Sequence, residues 1–80
     1  MKSVIHVQLK QSILDPQGQA VNHAIEHLDY QSVKDVRIGK LIELSFNGIS
    51  REEAEKQTTE ICEKLLINPV IETYSFQIED

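Results

Sequence analysis

The sequence predicts an α+β fold: a two-layer sandwich with two helices on one face of a mostly antiparallel sheet, in the order β-α-β(β)-α-β. Three observations predict it. Apolar residues alternate near both ends and through the middle of the chain. Two intervening segments have helical apolar spacing, each preceded by a capping signal. A length of 80 residues leaves room for one domain, residues 1–80, with a modest core.

Residues 2–10 alternate, with Ile5, Val7 and Leu9 on one side and His6, Gln8 and Lys10 on the other. Period two over a β-branched run predicts a half-buried strand. Asp15-Pro16 then predicts a helix start. Asp15 can accept from free N–H groups as N-cap, and Pro16 at the first helical position lacks a donor that would be unpaired anyway. The helix, about 16–29, carries Ala20, Val21, Ala24, Ile25 and Leu28 on one face. Its end is weakly marked, because Asp29 stands where glycine is usual. Gly18 in the first turn costs roughly 1 kcal/mol of helix propensity against alanine, which points to close approach or conformational freedom at that position.

Between 33 and 47 the apolar residues Val36, Ile38, Ile42, Leu44 and Phe46 all fall at even positions, interrupted only by Lys40. Two geometries keep that parity: one long strand bent at Gly39, which is favoured, or a hairpin whose loop is Gly39-Lys40-Leu41. Asn47-Gly48 makes a turn, and Ser50-Arg51-Glu52-Glu53 reads as a capping box with Ser50 at N-cap and Glu53 at N3. The second helix, about 51–67, is predicted to bury Ala54, Ile61, Cys62, Leu65 and Leu66, and Asn68-Pro69 stops it. A last strand carries Val70, Tyr74, Phe76 and Ile78 on one face.

Composition narrows the function. Eight basic and 13 acidic residues give a net charge of −5, with a pI near 5.1. Nucleic-acid binding needs clustered Lys and Arg and is disfavoured. The leading MKSVIHVQLKQ has no long apolar run, so no signal peptide is expected, and no apolar stretch is long enough to span a bilayer. With a single cysteine, Cys62, no internal disulfide can form, and the expected compartment is the cytoplasm.

Candidate chemistry is sparse. Cys62 occupies an apolar helical position and reads as a small buried hydrophobe. His23 and His27 lie four apart, but Ala24 follows the first where a zinc-protease helix carries glutamate, and no third ligand joins them or His6. Glu52, Glu53, Glu55, Glu60 and Glu63 are explained by capping and a solvated face. No nucleophile elbow, dinucleotide fingerprint or phosphate-binding loop is present. No catalytic, cofactor-binding or metal-binding residue is therefore assigned. Asp35-Val36-Arg37-Ile38-Gly39-Lys40 stays unabsorbed: it reads either as a charge-protected edge or as a contact surface in which arginine recognises a partner.

Three blocks then carry a resemblance: LDPQG (Leu14–Gly18) with Ala20-Val21, DVRIGK (Asp35–Lys40) with Ile42-Glu43-Leu44, and CEKLLINPVIE (Cys62–Glu72). In this order and spacing, from about Val7 to Glu79, the chain resembles the PurS family, the small subunit of phosphoribosylformylglycinamidine (FGAM) synthase. Asp29 departs from that pattern, which usually has glycine before an aromatic residue such as Tyr30.

The resemblance implies a non-catalytic subunit of an ATP-dependent ligase in de novo purine biosynthesis. That ligase converts formylglycinamide ribonucleotide, glutamine and ATP into FGAM, glutamate, ADP and phosphate. The implied partners are a PurQ-type glutaminase, which releases ammonia, and a PurL-type synthetase, which consumes it and uses the ATP and magnesium. The small subunit would bridge the two, assist ammonia transfer and self-associate as a dimer or tetramer. On this reading Asp15, Gln17, Gly18, Arg37, Gly39 and Lys40 are the expected partner-interface residues. Two other classes compete: an ACT-like regulatory module of βαββαβ order that binds a small molecule, and an independent small enzyme.

Overall fold

A computed structural model describes residues 1–80. The elements are β1 (Lys2–Leu9), α1 (Pro16–His27), β2 (Gly39–Ser45), α2 (Arg51–Ile61), a π-helical turn Cys62–Leu66 that continues α2, and β3 (Glu72–Glu79). The three strands form one antiparallel sheet in the order β2-β1-β3. Ile5 faces Ile42 on one side and Phe76 on the other, and Val7 faces Lys40 and Tyr74. Because side chains alternate along a strand, this register puts Ser3, Ile5, Val7, Ile42, Leu44, Tyr74, Phe76 and Ile78 on one face. Ile5, Val7 and Cys62 form the centre of the core under α2. The opposite face presents His6, Gln8, Thr73, Ser75 and Gln77, and is polar.

α2 starts where the sequence puts it: Ser50 Oγ accepts from the Glu53 N–H at 3.1 Å. Ala54, Thr58 and Cys62, four residues apart, are its fully buried row. The turn after Ile61 changes to i→i+5 bonding, with the Ile67 N–H donating to the Cys62 carbonyl at 3.1 Å. The extra residue per turn rotates Leu65 out to 76 % exposure and brings Leu66 and Ile67 onto the core. The expected burial of Leu65 is thereby corrected, and Thr58 joins the core instead.

Two further expectations change in detail. The α+β class stands, with an antiparallel sheet and two helices, but only α2 lies on the sheet. α1 makes no substantial contact with the sheet or with α2. Its expected inward face is open: Ala20, Val21, Ala24 and Leu28 are exposed and only Ile25 is half-buried. The molecule is accordingly long, 51 × 27 × 14 Å, with a radius of gyration of 16.2 Å against about 12 Å for a compact chain of this length. The middle segment is neither a hairpin at Gly39 nor one long strand within the chain's own sheet. Pairing begins at Gly39, opposite Gln8, and the extended residues before it have no strand beside them. The strand order is thus βαβαβ rather than the βαββαβ of an ACT module.

Candidate partner-contact site

Asp15 and Gly18 meet the segment 36–40 at one corner of the molecule. Asp15 caps α1 as its sequence position predicts, with Oδ1 accepting from the Gly18 N–H at 2.8 Å. Its second oxygen, Oδ2, accepts from the Ile38 N–H at 2.7 Å, just ahead of β2. The carboxylate is 3 % exposed. The Ile38 N–H and then the Gly18 N–H stabilise its charged form, and hold its pKa below the ordinary 3.8. Gly18 is buried because the Val36 carbonyl oxygen lies where a β-carbon would stand. Close approach therefore accounts for a glycine in the first helical turn.

Arg37 closes the other side of the corner. Its Nη2 donates to the Lys10 carbonyl at 3.0 Å and to the Ile13 carbonyl at 2.9 Å. Both are main-chain acceptors in the β1–α1 connection; the Lys10 carbonyl also accepts from the Ile13 N–H at 2.9 Å, so Arg37 braces a turn that is already closed by the backbone. Gly39 is placed by contact with β1: a β-carbon there would come 2.6 Å from the Val7 carbonyl oxygen. Lys40 points to the α2 side of the sheet, with its Nζ 3.5 Å from Glu72 Oε2. Glu72 Oε1 in turn accepts from the Asn68 N–H at 2.7 Å, which fixes the turn into β3.

All six expected interface residues thus lie around this corner. Asp15, Gln17, Gly39 and Lys40, with Val7, Leu9, Ile38 and Glu72, line a cavity of about 200 Å³. Both carboxylate oxygens of Asp15 and Nη2 of Arg37 are engaged within the chain, whereas Gln17, Gly39 and Lys40 are exposed. Glu72 and the two carbonyls held by Arg37 were not legible as site groups. The final block contains Glu72, but nothing in the sequence pairs it with Lys40.

The remaining candidates lie away from this corner. No three His, Cys, Asp or Glu side chains stand close enough to hold a metal ion. His6 is exposed on the open sheet face, and His23 and His27 are exposed on α1. Cys62 is fully buried, and burial first, with Glu63 nearby second, pushes its thiol pKa above the ordinary 9.0. Tyr74 donates its hydroxyl to Glu63 Oε2 at 3.0 Å.

Comparison with known proteins finds similarity along almost the whole chain. Residues 2–80 match the family model PurS: Phosphoribosylformylglycinamidine (FGAM) synthase. The chain is 47% identical to the phosphoribosylformylglycinamidine synthase subunit PurS of Bacillus subtilis over 79 residues, 99% of this chain and 93% of that one. It is 42% identical to the same-named subunit of Archaeoglobus fulgidus over 71 residues, 89% of each chain. The solved B. subtilis PurS superposes with a TM-score of 0.86 at 47% identity, covering 99% of this chain and 98% of that one. A chain of the PurLQS structure from Thermotoga maritima gives 0.85 at 33% identity, covering 95% and 93%. On sequence and on structure together, this chain belongs to the PurS family of FGAM synthase.

Proposed function

We propose that the chain is a non-catalytic subunit of the FGAM synthase complex, bridging a PurQ-type glutaminase and a PurL-type synthetase and assisting ammonia transfer between them. The observation that carries this reading is the likeness to a chain of the PurLQS structure at a TM-score of 0.85 and 33% identity; α1, a helix whose apolar side has no partner in its own chain, is a further sign of association. A short helix whose apolar side is mostly open has little stability of its own in water, so α1 calls for a surface supplied by another molecule. The correspondence with a chain of PurLQS from T. maritima supports partners of that kind.

Self-association is part of the same reading. α2 covers β1 and β3, while Ile42, Leu44 and Phe46 on the β2 side stay partly exposed. Each chain therefore carries both an unpartnered helix and a half-covered sheet. A second copy satisfies both at once through a two-fold interface. The exposed Gln17 and Lys40 at the corner then lie at the edge of such an assembly, available to the larger subunits.

The chemical benefit is proximity. Ammonia released into neutral water is mostly ammonium, which has no lone pair for attack. Holding the releasing and consuming sites in register makes capture effectively intramolecular. ATP and magnesium belong to the synthetase on this reading, and the chain needs no cofactor of its own. No helix is long and apolar enough to cross a membrane, in keeping with a cytoplasmic complex. The test is size-exclusion chromatography of the three purified chains, with glutamine and ATP varied. Co-elution of this chain with the other two supports the reading. Elution of this chain alone under every condition rejects it.

A further inference from the structure

We infer that Asp15, Gly18 and Arg37 are positioning residues: they clamp the base of α1 so that the helix reaches its seat on a second copy of the chain. The inference rests on the self-association reading above. Core packing does not aim α1, because the helix makes no substantial contact with the sheet or with α2. Its direction is set at its base. Asp15 divides its two oxygens between the helix start, at Gly18, and the approach to β2, at Ile38. Capping requires only the first of these bonds, so the second serves to tie the helix to the strand. Arg37 fixes the incoming connection through the Lys10 and Ile13 carbonyls. Gly18 keeps the Val36 carbonyl oxygen in contact with the first turn, at a position where almost any other residue forms helix better.

Leverage makes this base matter. A 12-residue helix is about 18 Å long, so a tilt of roughly 15° at the corner moves its far end by about 5 Å. Interfaces packed as tightly as protein interiors do not absorb a displacement of that size. Asp15 and Gly18 are buried, and Arg37 is half-buried. They therefore act on the assembly through the direction of α1.

The test compares the full-length chain with Asp15→Asn, Gly18→Ala and Arg37→Lys. Sedimentation equilibrium reads self-association, and amide exchange in β1 and β3 reads the fold. Gly18→Ala is the discriminating variant, because it raises intrinsic helix propensity while displacing the helix base. The expected result is a dissociation constant raised about tenfold or more in each variant, with exchange protection in β1 and β3 retained. Dissociation constants within about twofold of the unchanged chain overturn the inference, and so does loss of β1 and β3 protection, which makes the role one of general stability. An unchanged chain that stays monomeric at every concentration rejects the self-association reading itself, and this inference with it.

Discussion

Asp15 and Ile38, 23 residues apart, are joined by a 2.7 Å hydrogen bond from the Ile38 N–H to Asp15 Oδ2. That bond links the start of α1 to the start of β2, and it exists in full only while the carboxyl is ionised. Because the folded pKa is lowered below 3.8, the unfolded chain binds the proton more readily. Stability from this group is present above the ordinary carboxylate value and is lost as pH falls through the lowered one. Urea unfolding of the unchanged chain and of Asp15→Asn, from about pH 5 down to about pH 2.5, should show a stability difference that narrows with acid. A constant difference would mean that the charge at Asp15 is immaterial.

Asp29 follows the last turn of α1 in the left-handed region, at φ 69°. A side chain is strained there and glycine is not, so Asp29→Gly should stabilise the end of the helix by about 0.5–1 kcal/mol. With α1 off the core, the gain should appear as slower amide exchange over residues 25–28. Faster exchange would show that the aspartate stabilises this turn.

Thr58 is fully buried in the row between Ala54 and Cys62, and its hydroxyl oxygen has no hydrogen-bond partner. Thr58→Val keeps the shape and removes the unpaired group, and should raise stability by about 1 kcal/mol in chemical unfolding. A loss of similar size would mean that the hydroxyl is paired in solution.

Gly39→Ala should act in the opposite direction. Its new methyl would press on the Val7 carbonyl oxygen at the first pair of the β1–β2 ladder. The expected loss is about 1–3 kcal/mol, with exchange in β2 accelerated first. Unchanged stability would show that the strand shifts to make room at little cost.

Cys62 should react only through unfolding, given its complete burial and raised thiol pKa. Alkylation of the native chain should run more than about a hundredfold slower than alkylation of the unfolded chain. Comparable rates would place the thiol at a surface.

Most of the single-chain architecture was legible because its causes are local. Alternation marks β1 and β3, Asp15-Pro16 and Ser50 start the two helices, and Gly18 signals a close approach. What was not legible depends on partners. Helical spacing in α1 establishes an apolar side but not whose core receives it. The even-position row from Val36 to Phe46 has strand periodicity throughout, yet only its second half finds a neighbouring strand within the chain. Leu65 is turned outward by a local change of helical pitch that no residue pattern announces, and Thr58, four residues from both Ala54 and Cys62, is buried at regular helical spacing despite its polar side chain. At the corner, the resemblance singles out Asp15 and Arg37 as expected interface residues, while the backbone atoms they hold can be read only from the fold.

Glutamine-driven and ammonia-driven FGAM formation, measured side by side as this chain is titrated into a mixture of synthetase and glutaminase, puts the bridging role to its most direct test. The glutamine-driven rate should rise and saturate with added chain, while the ammonia-driven rate stays level. A glutamine-driven rate that is already full without the chain would contradict the account.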